Sequence, residues 1–324
     1  MARLRDEPGF DDLFAIAARD LGQPAPFLEK DYWVTQILRS VAETTAGGFV
    51  LKGGTSLSKG YGIINRFSED VDILLVPHAD ASARETEASL LAITERAAAD
   101  LGTTWDADRV PGRGAHASRG DNIHYTASVD PTTTEATGIR YGAVLLETRY
   151  GDGHEPAEMV AIRPNVAAWA GLGDPDTWED LAPVTIRVLE PRRTLLEKVV
   201  GVHHAACTWT EANPPNMHRF GRHYFDIWSL LAHRPTIERL ADRARFATLL
   251  AEIERISDRY YGGHSPRPEA GFGDSVAFVP EKGTPLRDWL EASYASSLSL
   301  LAPQVRPPTF GGVLKRIGEH RDLL

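Results

Sequence analysis

The segment Asp70-Val71-Asp72-Ile73-Leu74-Leu75-Val76 limits the fold more than any other part of the chain. Its unbroken apolar flank, closed by Pro77, reads as a buried strand. Two acids nevertheless stand two residues apart at its start. Side chains at i and i+2 of a strand share a face, with Cα atoms about 6.6 Å apart. Both carboxylates therefore point to one side, while Val71 and Ile73 enter the core. Two anions held side by side repel unless a cation sits between them. Magnesium suits the position, because it is a hard ion that takes carboxylate and phosphate oxygens together. The alternative is an exposed edge strand with scattered acids, and the apolar flank argues against it.

Upstream, Leu51-Lys52-Gly53-Gly54-Thr55-Ser56-Leu57 joins a short apolar strand, Phe49 to Leu51, to a short helix from Leu57 to Gly62. Gly53 and Gly54 let backbone N–H groups come close to a phosphate. Thr55 and Ser56 add hydroxyl donors, and the helix presents its positive N-terminal end. A glycine turn before a helix is common, so alone it also fits a purely structural role. Two better-known phosphate loops are excluded, since there is no Gly-x-Gly-x-x-Gly and no Gly-Lys-Ser/Thr after a four-residue gap.

Two further residues carry chemistry. Glu147 lies in the otherwise apolar Ala143-Val144-Leu145-Leu146-Glu147-Thr148-Arg149, and a glutamate there needs a partner. A neighbouring strand would bring it beside Asp70 and Asp72, as a third carboxylate or as the base for an attacking hydroxyl. The alternative is a salt bridge with Arg149 or Arg140. Lys198 sits in the apolar helical stretch Leu195-Leu196-Glu197-Lys198-Val199-Val200, where it would offer charge to departing phosphates or snorkel to the surface. Together these groups match two-metal phosphoryl transfer, in which one ion activates a hydroxyl and the other holds the leaving pyrophosphate.

The layout is mixed before Pro191 and helical after it. Helices are expected over Phe10 to Leu21, about Phe27 to Ala46, and Ala81 to Leu101. Strands are expected over Val71 to Val76, Ile123 to Val129, Tyr141 to Tyr150, Met159 to Ile162 and Val184 to Val188. An Asp130-Pro131 turn separates the second and third of these. Beyond Pro191, Arg192 to Cys207, Arg222 to Ala232, Thr236 to Ile256 and Leu286 to Leu301 read as helices, with a Gly/Pro-rich loop from Tyr261 to Pro285. The expected domains are therefore 1–190 and 191–324. The expected fold class is α+β and bilobed: a mixed sheet flanked by helices, then a helical bundle.

Composition sets the outer limits. A net charge of −10 argues against non-specific coating of nucleic acid, which needs Lys and Arg at the phosphates. It leaves room for local basic patches such as Arg192-Arg193. One cysteine, Cys207, gives no intrachain disulfide. No apolar leader and no run of about 18 apolar residues stands out, so no membrane partner is expected and the cytoplasm is the default. His203, His204 and Cys207 share a helix, but zinc would lack a fourth ligand.

With these residues in hand, the chain resembles the AbiEii/AbiGii-type nucleotidyltransferase toxins, which include the MenT-like toxins and belong to the DNA polymerase β-like superfamily. Glu29-Lys30-Asp31-Tyr32-Trp33-Val34 is similar to the family's N-terminal helix signature. Lys52 to Leu57 with Arg66-x-Ser68-x-Asp70-x-Asp72 is similar to its first catalytic motif. Leu195 to Lys198 is similar to its lysine helix. Arg222-His223-Tyr224-Phe225-Asp226-Ile227 is similar to its Arg-Asp-x-x-Asp-like helix, with His223 where an acid is frequent. Tyr294 falls where a terminal tyrosine is often found.

The resemblance implies that Asp70 and Asp72 hold two magnesium ions, with manganese as the alternative. It gives Lys198 to the triphosphate, and Asp226 to the nucleotide or to support of Lys198. Lys52, Gly53, Gly54, Thr55, Ser56, Arg66, Ser68 and Arg222 would bind nucleotide or phosphate. Arg222 and Asp226 are four apart, so one helix face carries both. Ser68 would share the acid face on a continuous strand, and phosphorylation there would place roughly two negative charges beside the metals. The implied activity is transfer of a nucleoside monophosphate from an NTP to the 3′ end of tRNA, by a toxin paired with an antitoxin encoded nearby. Two other readings compete. One is modification of a protein hydroxyl or a small molecule, which the acidic charge favours. The other is a non-catalytic protein that binds nucleotide or a partner.

Overall fold

Alternation places the sheet. In the computed structural model, which describes all residues except 1, 47, 67, 69, 77–81, 110–111, 113–116, 129–140, 216 and 302–304, seven strands form one mixed sheet. They are β1 (Phe49–Lys52), β2 (Asp70–Leu75), β3 (Trp105–Ala107), β4 (Ser118–His124), β5 (Ala143–Tyr150), β6 (Ala157–Ile162) and β7 (Val184–Leu189), in the order β3-β4-β5-β2-β1-β7-β6. Val71 and Ile73 are buried while Asp70 and Asp72 keep partial exposure, as the period of two requires. The three central strands are each bordered on both sides, so a residue of β2 has neighbours on β1 and on β5.

The chain parts into two compact units, Met1–Leu189 and Glu190–Leu301 with Val305–Leu324. In the first, helices α1 (Phe10–Leu21), α2 (Ala25–Thr44) and α4 (Ala83–Leu101) lend apolar residues to the sheet's core. A short helix, α3, spans Gly53–Thr55 and runs on as a π-helical turn, Ser56–Gly60. Tyr32 of α2 donates its hydroxyl to Asp180 at 2.5 Å, and the same buried carboxylate accepts from the Leu4 and Arg5 amides at 2.9 and 3.2 Å. That carboxylate ties the N-terminal strap to α2.

The second unit is helical: α5 (Pro191–Cys207), α6 (Met217–Leu230), α7 (Arg234–Leu240), α8 (Arg243–Tyr260), α9 (Pro285–Ser296) and α10 (Phe310–Glu319). Arg193 is fully buried between Glu197 at 3.1 Å and Glu252 at 2.7 Å, which joins α5 to α8. Tyr224 donates to the Ala277 carbonyl at 2.8 Å and meets Phe310 edge-on at 5.0 Å. Tyr294 is buried and donates to the Pro308 carbonyl at 2.8 Å.

Four expectations need correction. Thr236 to Ile256 is two helices, because the Asp242 side chain caps α8 by accepting from the Arg245 amide. β4 begins at Ser118 and stops at His124, earlier than expected. Its polar start is stable because Asp121, fully buried, accepts from two Arg119 nitrogens and the Thr94 hydroxyl, all at 2.8 Å. The helix after the glycines starts at Gly53 and not at Leu57. The last helix, α10, was not foreseen at all. The Asp130-Pro131 turn lies outside the described residues.

Gly221 shows how close α6 and α9 run. A Cβ there would sit 1.8 Å from the Ser293 carbonyl oxygen, and backbone cannot step aside as a flexible side chain does. Gly221→Ala is expected to lower stability by about 3 kcal/mol, measured by urea unfolding. An unchanged midpoint would show that the two helices can part at little cost.

Candidate active site

Register brings three ionisable groups of adjacent strands side by side. Lys52 on β1 stands opposite Asp72 on β2, and Asp72 stands opposite Glu147 on β5. Asp70, two residues back, adds a further negative charge to Asp72's surroundings. Burial first, then the charges of Glu147 and Asp70 and a hydrogen bond with Glu147, push the Asp72 carboxyl up from 3.8 to about 7, against the opposing pull of Lys52. Two carboxyls that cannot both ionise comfortably hold a proton where a cation would otherwise serve.

The glycine turn closes on this group. Gly53 has φ +73°, which favours glycine. A Cβ on it would lie 2.4 Å from Asp72 Oδ2. A Cβ on Gly54 would lie 2.5 Å from an Arg66 guanidinium nitrogen and 2.8 Å from Ser68 Oγ. The turn's backbone thus lies directly against side chains: against the Asp72 carboxylate at Gly53, whose φ also favours glycine, and against Arg66 and Ser68 at Gly54. Ser68 precedes β2 and is not part of it. The hydroxyls of Thr55 and Ser56 are turned inward. Thr55 donates to the Asp70 carbonyl and Ser56 to the Gly53 carbonyl, so they brace the turn.

Arg109 is a member that sequence reasoning did not name. It forms an ion pair with Glu147. Gly120 on β4, opposite Glu147, leaves room for it, since a Cβ there would be 3.1 Å from the guanidinium carbon. The sequence also offers Arg149 and Arg140 as partners for Glu147. Arg140 lies outside the described residues. No sequence signal links positions 109 and 147, because only the order of strands brings them together.

In the second unit Lys198 is buried rather than snorkelled. Its ammonium lies 2.8 Å from a carboxylate oxygen of Asp226 and 3.3 Å from Nδ1 of His223. Asp226 is fully buried, which places it behind Lys198 as its counter-charge. Arg222 is half-buried on the same helix.

Hard oxygen donors fit a divalent ion at Asp70, Asp72 and Glu147, and the proton held at Asp72 marks where negative charge exceeds compensation. Among the described residues no three His, Cys, Asp or Glu side chains form a ready-made metal cage. Magnesium at nucleotide sites takes one or two carboxylates and completes its shell from phosphates and water.

Comparison with known proteins agrees with this chemistry. Residues 36–312 match the family model described as nucleotidyl transferase AbiEii toxin, type IV TA system. The chain belongs to that family of nucleotidyltransferase toxins. Membership implies an NTP substrate, a divalent metal and a partner antitoxin. Among solved structures it is similar to MenT4, a nucleotidyltransferase toxin from Mycobacterium tuberculosis H37Rv, at 16% identity over 95% of each chain with a TM-score of 0.47. No curated protein matches it. No helix among the described residues is long and apolar enough to cross a membrane.

Two outcomes are expected. Because the folded-state pKa of Asp72 is raised, the group favours folding at low pH, and this advantage is lost as pH climbs from about 4 through 7. In EDTA, Asp72→Asn is therefore expected to melt several degrees above wild type at pH 8, with the gap closing at pH 5. Equal melting at both values would remove the crowded acid pair from the account. Asp226→Asn leaves Lys198 buried without its counter-charge and is expected to cost about 3 kcal/mol in urea unfolding. No change would show that His223 and water compensate fully.

Proposed function

We propose that this chain transfers a nucleoside monophosphate from an NTP to the 3′ end of tRNA, using two divalent ions held by Asp70 and Asp72. The observation that carries the reading is the Lys52–Asp72–Glu147 row against the Gly53-Gly54 turn. A cation and two acids of adjacent strands beside a glycine turn support a reading in which phosphate oxygens and a divalent ion are held together. Magnesium or manganese bound there would neutralise the phosphates and favour an ionised attacking hydroxyl.

The chain's own groups do the rest. Asp70 and Asp72 would hold the ions. Glu147, once released from Arg109, stands as the third carboxylate or as the group that takes the proton of the attacking hydroxyl. The acceptor oxygen bonds to the α-phosphorus as the bond to the β-phosphate oxygen breaks, and pyrophosphate leaves. Lys52 and the Gly53 and Gly54 amides hold phosphate oxygens, with Thr55 and Ser56 bracing the turn and Arg66 and Ser68 lining it. Lys198, held by its ion pair with Asp226, binds the triphosphate, and Arg222 adds nucleotide contact. A phosphate on Ser68 would crowd the Gly54 amide with charge and block the reaction. The toxin acts in the cytoplasm and is silenced by an antitoxin.

The test supplies each labelled NTP with magnesium to total RNA, to protein and to neither. Label on tRNA is expected, lost by about 10³-fold or more in Asp70→Ala and Asp72→Ala, both retaining the wild-type circular dichroism spectrum. Label on protein or a small molecule alone would overturn the tRNA acceptor. Full activity in either alanine variant would overturn the site.

A further inference from the structure

A polar cavity of about 330 Å³ opens in the first unit and shares no residue with the acid row. Four arginines line it: Arg3 and Arg5 from the N-terminal strap, Arg39 from α2 and Arg96 from α4. Four acids line it too, and three of them already accept from a donor. Glu179 pairs with Arg3 at 3.1 Å. Asp100 takes Arg96 at 2.8 Å and the Ser40 hydroxyl at 2.7 Å. Asp180 accepts from Tyr32 and from the amides of Leu4 and Arg5. Glu43, the fourth, is on α2 one turn beyond Arg39.

Arg39 and Arg5 are placed differently from the other two arginines. Each guanidinium carries five N–H donors. Arg39 donates to the Ala182 carbonyl, while its Nε is buried with no hydrogen-bond partner among the described residues. Arg5 donates to the Asp100 carbonyl at 2.9 Å. Both are thus anchored by backbone carbonyls and not by carboxylates. Burial pulls the Arg39 guanidinium below its ordinary range, with Glu43, Asp180 and Glu179 opposing the shift. A desolvated cation whose charge is not met by a bonded anion favours a ligand that brings one. The cavity thus offers surplus donors while most of its acceptors are taken, and no aromatic ring lines it for a base to stack on. An acceptor-rich, compact anion matches that inventory, and guanidinium forks match phosphate best.

We propose that this cavity is a phosphate-binding site, seated on Arg39 and Arg5, which takes a phosphate group either free on a small molecule or carried on an RNA backbone. It does not depend on the transfer reaction, and it gives a chain of net charge −10 a local seat for a polyanion.

Thermal unfolding of the full chain in EDTA tests it, with inorganic phosphate titrated against chloride at matched ionic strength. EDTA keeps the acid row from binding phosphate through metal. A saturable rise in melting temperature in the low millimolar range is expected with phosphate and not with chloride. Arg39→Met and Arg5→Met are each expected to weaken the midpoint about ten-fold or more. Arg39→Lys should fall between, since an ammonium lacks the planar fork, and it serves if Arg39→Met does not fold. Filter binding of labelled tRNA then separates the sources. Weaker binding and a shallower salt dependence in Arg39→Met would assign the seat to the RNA backbone. Unchanged RNA binding beside a lost phosphate response would assign it to a free phosphorylated ligand. Wild type that responds alike to phosphate and chloride would overturn the proposal. So would an undiminished phosphate response in folded Arg5→Met and Arg39→Lys.

Discussion

Asp72 and Glu147 lie side by side, half-buried, on parallel strands in the middle of the sheet, and neither can ionise without raising the energy of the other. Most of what is unusual about the first unit answers that conflict. Lys52 on the opposite strand eases it, Arg109 draws Glu147's charge, and Asp72 meets the remainder by holding a proton up to about pH 7. A protein does not keep such a pair for stability, since an apolar residue at either position would pack without the repulsion. The arrangement makes sense where a divalent ion replaces the proton.

The glycine turn is the second half of the same device. A side chain at 53 would meet Asp72 and one at 54 would meet Arg66 and Ser68, so at Gly53 bare backbone is what faces the acid. A carboxylate and the bare backbone of the turn are thereby brought into direct contact. In the second unit, Lys198 and Asp226 follow a different rule. There a cation and an anion are buried at 2.8 Å, and the pair holds a charge ready at a fixed position.

Much of this was legible in the residues, and the limits were physical. The acid face of β2 followed from a period of two, and Glu147 stood out because a glutamate in an apolar strand demands a partner. Its register against Asp72 could not be read, because strand order is set by packing and not by any local pattern. Arg109 was invisible for the same reason: its partner is far off in the chain, and Gly120 beneath it reads as an ordinary loop residue. The hydroxyls of Thr55 and Ser56 looked like phosphate donors by type, yet folding turned them to backbone carbonyls. The break between α7 and α8 hid within apolar spacing that continues on both sides, and only the Asp242 cap marks it. The cavity around Arg39 and Arg5 draws on segments so far apart that sequence spacing could not join them.

Calorimetry of manganese binding at pH 6, in two buffers of different ionisation enthalpy and with a non-hydrolysable NTP present, bears most directly on the central claim. If a divalent ion takes the place of the proton shared at Asp72, binding should release ~1 proton per chain, and Asp72→Asn should abolish the release. Manganese that binds with no proton released, or that binds wild type and Asp72→Asn alike, would contradict it.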